Sequence, residues 1–243
     1  WVVAPGRFGA HNWEDVGERS ARRAVHALRA WLRLHPWLPQ LHSDSGGISA
    51  GHSMGGHGAW VASVNAPDNY VCVAASASWI GKESYHAANA FFALDAQASF
   101  VEPSLKQVLE KALSEYQPDT LVGNLRGMSR VHIRVGRQDS TTHPYFSRRM
   151  HRLLTAAGVN STLEEVPGKQ HWWWDSRREN DGGVVNDAKM RAVYNECLRA
   201  GYVARRASHA MRQADTLLLR CLRRTGGRCR NWRFDEDLSL IHI

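Results

Sequence analysis

The chain has 243 residues, 43% of them hydrophobic, so it is long enough to bury one sizeable core and suits a single α/β domain. Its net charge of +8 is uneven, because ten arginines and one aspartate lie between Arg199 and Arg233, which leaves 21 basic and 22 acidic residues elsewhere. The body is therefore nearly neutral, and no apolar run approaches the ~18 residues of a membrane helix, so we expect neither a nucleic-acid nor a membrane partner.

The first predicted elements are a strand over Trp1–Ala4, a glycine loop and a helix from about Glu14 to Leu34. Apolar residues recur in that helix at helical spacing, which predicts a buried stripe of Val25, Leu28, Trp31 and Leu32. The chain opens inside an apparent strand and without an initiator methionine. We therefore expect it to be an N-terminally truncated fragment.

A predicted strand over Gly47–Ala50 leads into residues 51–58, which read G-H-S-M-G-G-H-G. The first five letters match G-x-S-x-G, the nucleophile elbow, in which a sharp strand-to-helix turn lifts a serine hydroxyl clear of its backbone. Glycine two positions before and after Ser53 removes Cβ atoms that the turn would crowd. The helix predicted over Met54–Asn65 then directs its N-terminal N–H groups towards a developing oxyanion. The alternative is a glycine-rich loop with an incidental serine.

The next predicted elements are the strand Tyr70–Ala75 and two helix-like segments, Ser84–Ala93 and Leu105–Tyr116. The two segments form an insertion that either covers a site or packs beside the sheet. The strand Val131–Val135 follows, and Asp139 comes directly after it, at the strand end where open α/β sheets collect functional groups. Asp139 could instead form a turn or cap the helix that is predicted over Phe146–Ala157.

A serine nucleophile needs a base and an acid that orients the base. The predicted strand Thr162–Pro167 is followed by a loop that carries His171. Among the 13 histidines, His143 follows no strand of its own and His151 falls inside a predicted helix. Position therefore favours His171 as the base. The adjoining Trp172–Trp174 either lines a substrate pocket or braces the loop.

Three motifs in this order resemble the catalytic domain of the prolyl oligopeptidase family of serine peptidases: G-H-S-M-G-G at 51–56, R-V-G-R-Q-D at 134–139 and P-G-K-Q-H-W at 167–172. A strand-plus-glycine stretch at 2–9 is also similar, and the resemblance covers about residues 1–190. The intervals of 86 residues from serine to aspartate and 32 from aspartate to histidine suit the family. The resemblance implies an α/β-hydrolase fold, a mostly parallel sheet with helices on both faces, and a triad of Ser53, Asp139 and His171.

The resemblance further implies a serine peptidase that cleaves by acyl transfer and needs no cofactor. The N–H of Met54 would be one oxyanion donor, and the second would lie on a loop upstream of residues 2–9. An esterase with the same triad is the alternative, because peptide and ester cleavage share this machinery. A second alternative is a non-catalytic binding protein of this fold, against which the three filled triad positions argue.

We expect residues 1–200 to form the catalytic domain and 201–243 to be an arginine-rich tail of doubtful origin. The tail could bind nucleic acid or an anionic membrane, form a solvated helix with an apolar stripe at Leu217–Leu222, or be non-native sequence. The fading resemblance and an ending like a translated sequencing adapter favour the last of these.

The four cysteines predict no disulfide framework. Cys72 lies in an apolar strand and is interpreted as a small core residue. The others belong to the doubtful C-terminal part and lack the spacing of metal ligands: Cys197, Cys221 and Cys229.

Overall fold

The computed structural model describes residues 1–6, 9, 12–41, 46–81, 101–173 and 183–201. Within these ranges one four-stranded parallel sheet has the order β1-β2-β3-β4, with strands Gly47–His52, Tyr70–Ser76, Arg130–Gly136 and Ser161–Val166. The helices are α1 Val16–Arg33, α2 Met54–Asn65, α3 Pro103–Ser114, α4 Pro144–Ala156, α5 Gly183–Asn186 and α6 at 188–201. None of the described helices is long and apolar enough to cross a bilayer.

The three strands β1, β2 and β3 are buried almost throughout, as parallel strands covered by helices on both faces must be. The strands predicted after residue 46 are confirmed to within two residues at either end, and so are the helices α2, α3 and α4. Strands that alternate with helices and pair in chain order confirm the predicted α/β class.

Successive side chains of β2 point to opposite faces of the sheet, and each face has its own hydrophobic core. Val73 and Ala75 join the larger core, to which α1, α2 and α4 contribute. Ala74 and Cys72 face the opposite way and pack against α6 through Met190 and other apolar residues. Helices therefore cover both faces of the sheet.

Two predictions for the N-terminal part are wrong. Trp1–Ala4 pairs with no described strand, and Trp1 instead donates its indole N–H to the carbonyl of Pro39 at 2.7 Å. The predicted stripe of α1 is confirmed at Val25 and Leu32, which are buried, but it is wrong at Trp31. Trp31 is 43% exposed and stacks on His35, because the buried face continues through residues 21 and 29.

Some predictions fall outside the described residues. These are the helix over Ser84–Ala93 and the tail 201–243 beyond Gly201, so the domain boundary near residue 200 stays a prediction. Gly201, the last described residue, is buried beside Val71 of β2.

Cys72 is a buried core residue, as interpreted, but the prediction of no disulfide framework is wrong for Cys72 and Cys197. The two form a disulfide across 125 residues of sequence, with their Cα atoms 5.8 Å apart. Cys72 lies in the buried strand β2 and Cys197 in α6, and neither side chain is more than 1% exposed. Spacing could not reveal this pair, because only the packing of α6 on the sheet brings the sulfurs together. The bond ties the last described helix to the middle of the sheet.

A charged network lies where α5 and α6 cover β3 and β4. The buried Arg134 guanidinium donates to the Val184 carbonyl at 3.1 Å and the Asp187 carboxylate at 2.5 Å. It also lies 3.2 Å from the carboxylate of Glu164. His132, buried in the same face, bonds through Nδ1 to the Thr162 hydroxyl at 2.9 Å. Nε2 of His132 lies 3.6 Å from the Glu164 carboxylate, and the neighbouring cations are Arg130, Arg134 and Lys189.

We expect this arrangement to weaken the fold in mild acid. Burial, with further contributions from Arg130 and Arg134, lowers the pKa of His132 from 6.5 to about 4, although Glu164 opposes the shift. The unfolded chain therefore binds a proton between about pH 6.5 and 4 that the folded chain does not, so the free energy of unfolding falls as the pH falls through this window. The loss at pH 4.5 should be roughly 2 kcal/mol from this group.

Urea unfolding at pH 7, 5.5 and 4.5 measures that loss. The matched variant His132→Asn keeps a polar partner for the Thr162 hydroxyl but cannot titrate in this window. It should show a shallower pH dependence than the parent chain. Equal slopes for the two proteins would contradict the assignment.

Candidate active site

The turn between β1 and α2 carries Ser53. This residue has φ 57° and ψ −119°, a conformation that non-glycine residues rarely adopt and that is found at strained functional turns. The Ser53 N–H donates to the Ser76 carbonyl at 2.8 Å, which anchors the turn to the end of β2. The hydroxyl is thereby held at the carboxyl end of the sheet on a half-buried residue.

Gly56 permits this tight turn. A Cβ atom at this position would lie 2.7 Å from the Cβ of Ser78 and 2.8 Å from the Ser76 carbonyl oxygen. Since real Cβ atoms do not make such contacts, any larger residue would push α2 away from the end of β2. Gly56, which follows the five-residue pattern directly, therefore has a packing reason of its own.

Asp139 lies in the loop between β3 and α4 and is 2% exposed. Its Oδ1 accepts the N–H groups of Thr141 at 2.9 Å and Thr142 at 2.7 Å. These bonds make Asp139 a turn former, one of the two roles that the sequence left open. They also hold the carboxylate so that Oδ2 is directed at another partner.

His171 lies in the loop after β4, and that loop is fastened to the one carrying Asp139. Gln138 donates its backbone N–H to the Lys169 carbonyl at 2.9 Å. Gly136 lies so close to the backbone of Lys169 and Gln170 that no Cβ could fit between them. The two loops therefore meet through backbone, and the distance between Asp139 and His171 depends on this contact.

The structure brings the three predicted residues into one hydrogen-bonded chain. Nδ1 of His171 is 2.7 Å from Oδ2 of Asp139, and Nε2 is 2.8 Å from the Ser53 Oγ. An ionised carboxylate only accepts, which assigns a proton to Nδ1 and leaves Nε2 to accept the hydroxyl proton of Ser53. His171, the middle member of this hydrogen-bonded series, is 1% exposed and is therefore shielded from water. This order is the one that nucleophilic serine chemistry requires.

The competing histidines have partners elsewhere. His143 precedes α4, and its Nδ1 accepts the N–H of Tyr145 at 3.1 Å. His151 lies within α4 and bonds through Nδ1 to the Ser161 hydroxyl at 3.1 Å. The first contact lies at the start of α4 and the second joins α4 to β4, and neither involves Ser53.

The described tryptophans after the histidine have different surroundings. Trp172 is 55% exposed, and its ring meets that of His171 edge-on at 4.6 Å. Trp173 lies 5.8 Å from the Arg134 guanidinium, a distance suited to a cation–π contact. Trp172 therefore contacts the candidate base, while Trp173 faces the charged network. Trp174 lies outside the described residues.

Met54 is the first residue of α2, so its N–H belongs to the group that has no acceptor within the helix. It adjoins Ser53 at the positive end of the helix dipole, where an oxyanion would be stabilised. Its role as an oxyanion donor stays a prediction. Within the described ranges, no group of three or more histidine, cysteine, aspartate or glutamate side chains is arranged to hold a metal ion.

The sequence reasoning missed two features of this site. One is the close backbone contact at Gly136, for which a glycine after a strand was the available signal. The other is His52, whose ring lies beside that of His171. Its place within the elbow was visible, but a neighbour 119 residues away in sequence was not.

No protein-family model matches the chain. A secreted protein of Arthroderma benhamiae is 29% identical over 176 residues, which cover 71% of this chain and 18% of that protein. A solved structure from Bacteroides ovatus, named as a dipeptidyl aminopeptidase IV, matches 77% of this chain and 22% of its own with a TM-score of 0.51 and 16% identity. The match to Porphyromonas gingivalis dipeptidyl peptidase 4 covers 72% of this chain and 22% of that protein, with a TM-score of 0.46 and 14% identity.

The chain thus spans about a fifth of the length of these proteins. Other solved structures that it resembles are named as an S-formylglutathione hydrolase and an acylaminoacyl peptidase. The match to the Bacteroides protein agrees with the parallel sheet and the strand–turn–helix around Ser53. The chain has the α/β-hydrolase fold, as the sequence predicted.

Proposed function

We propose that this chain is the catalytic part of a serine hydrolase, a peptidase of the prolyl oligopeptidase family that works by acyl-enzyme chemistry. The observation that carries the proposal is the continuous chain of hydrogen bonds from Ser53 through His171 to Asp139. Each group has the neighbour that its role requires, and the acid and the base are both buried.

In the first half-reaction the Ser53 oxygen attacks the substrate carbonyl while Nε2 of His171 takes the hydroxyl proton. Asp139 holds the Nδ1–H and stabilises the imidazolium that forms. The N–H of Met54 would donate to the oxyanion. The proton on Nε2 then passes to the departing amine or alcohol as the bond to the leaving group breaks, which leaves Ser53 acylated. Water attacks the acyl group in the second half-reaction by the same proton route.

The three sequence motifs favour a peptidase, and so does the name of the Bacteroides protein with the same fold. The triad itself serves an esterase equally well, so the esterase remains the second candidate. Dipeptidyl p-nitroanilides and p-nitrophenyl acetate distinguish the two. A peptidase should cleave both substrates through Ser53, whereas an esterase should cleave only the ester.

A fluorophosphonate probe tests the nucleophile whatever the natural substrate is. We expect covalent labelling at Ser53, located by mass spectrometry, because the probe reacts with a serine whose proton is removed by a neighbouring base. Labelling should be lost in Ser53→Ala and should persist in Ser140→Ala, which removes an exposed serine beside Asp139. Absence of labelling in the parent chain would favour the non-catalytic binding protein instead.

A further inference from the structure

His52, the residue before the candidate nucleophile, contacts the candidate base. Its Nε2 lies 2.9 Å from the backbone carbonyl oxygen of His171. The two imidazole rings are 4.7 Å apart between centroids and tilted by 46°. The ring of Trp172 lies 5.2 Å from that of His52. His52 therefore adjoins both the backbone and the ring of His171.

The protonation state of His52 follows from these neighbours. A carbonyl oxygen only accepts, so Nε2 of His52 carries the hydrogen and donates it. Burial and the neighbouring charge of His171 lower the pKa of His52 to about 4, while its bond to the His171 carbonyl and the charge of Asp139 oppose the shift. The ring is thus neutral at pH 7. It gives one fixed donor and adds no positive charge beside the imidazolium that His171 becomes during the reaction.

The position of this bond gives it a specific effect. The backbone contacts that Gly136 and Gln138 make with this loop reach residues 169 and 170. The bond from His52 is made to the carbonyl of His171 itself. The side chain of His52, the last residue of β1 and the neighbour of Ser53, thereby holds the backbone of the base.

We propose that His52 is a positioning residue: its Nε2–H bond to the His171 carbonyl holds the base at the correct distance and angle from Ser53. This inference rests on the proposed function, since it assigns His52 a role in that same site. Displacement of a reacting group by about 1 Å can lower a rate by about 10²-fold, so loss of the bond should slow proton transfer even where the fold is intact.

The test compares two neutral amide variants of the full chain. Glutamine places its amide nitrogen about where Nε2 of histidine lies, whereas the shorter asparagine reaches only the position of Nδ1. The rate of fluorophosphonate labelling at Ser53 is measured against probe concentration, which separates the limiting rate from the probe affinity. We expect His52→Asn to lower the limiting rate roughly 10- to 100-fold with little change in affinity. His52→Gln should stay within about 3-fold of the parent.

The outcomes separate this inference from the proposed function. If the parent chain is not labelled at Ser53, both the proposed function and the inference that rests on it are overturned. If the parent is labelled but both variants react at the parent rate, or both lose rate equally, His52 does not act through its donor and the inference alone is overturned. Melting temperatures of all three proteins verify the fold. Should His52→Asn unfold, His52→Phe, which keeps a ring and lacks the donor, replaces it with the same expected loss.

Discussion

Replacing Ser53 or His171 with alanine is expected to lower kcat/KM for the cleaved substrate by roughly 10⁴- to 10⁶-fold, and the double variant should be little worse than either single one. The physical reason is the hydrogen-bonded chain at 2.7 and 2.8 Å, in which neither residue contributes to proton transfer without the other. If the two residues acted independently, the fold losses of the single variants would multiply in the double variant. The double variant therefore shows whether Ser53 and His171 act as a unit. Steady-state hydrolysis of p-nitrophenyl acetate or a dipeptidyl p-nitroanilide measures it.

Asp139→Asn extends this series. The amide keeps the size of the carboxylate and its turn bonds to Thr141 and Thr142, but it can present an N–H to Nδ1 and so favour the wrong tautomer of His171. A loss of about 10⁴-fold in kcat is expected. His143→Ala serves as the matched control, because that ring contacts Tyr145 and should leave activity near the parent value. An inactive His143→Ala beside an active His171→Ala would show that the base is misassigned.

Removing the disulfide is expected to have the largest effect on stability. Cys72 and Cys197 close a loop of about 125 residues, and for loops of this size the chain-entropy model gives about 4 to 5 kcal/mol of stabilisation. Cys72→Ala with Cys197→Ala should therefore lower the free energy of unfolding by about 3 to 5 kcal/mol. Urea unfolding of protein purified without reductant measures the loss, and thermal scans should show a Tm lower by about 10 °C.

The single variants supply the control for this measurement. Either substitution breaks the same bond, so Cys72→Ala alone should cost nearly as much as the pair. Cys221→Ala, which removes a different cysteine, should change the free energy of unfolding by less than about 0.5 kcal/mol. Additive single effects, or a loss below about 1 kcal/mol for the pair, would contradict a bond that ties α6 to β2.

Local patterns in the sequence were sufficient for the four strands after residue 46, the principal helices and the fold class, but they wrongly predicted a strand at Trp1–Ala4. Buried parallel strands consist of short apolar runs, and in helices apolar residues recur every three or four positions. Each element is therefore recognisable from neighbouring residues alone. The elbow was visible for the same reason, since G-x-S-x-G is a pattern of neighbouring residues. Asp139 and His171 were predicted from their place after strands, because parallel strands present their carboxyl ends at one edge of the sheet. Their catalytic roles stay predictions.

Only the tertiary structure decided the contacts between distant segments. Trp31 has the spacing of a core residue, yet the face of α1 that joins the larger core leaves it exposed. The partner of Cys72 lies 125 residues away, and that of His52 lies 119 residues away. The spacing of apolar residues along the sequence cannot predict such contacts, because they form only when helices and loops pack across a sheet. Sequence therefore determined which elements form and where each candidate side chain lies along them, while packing determined which side chains meet.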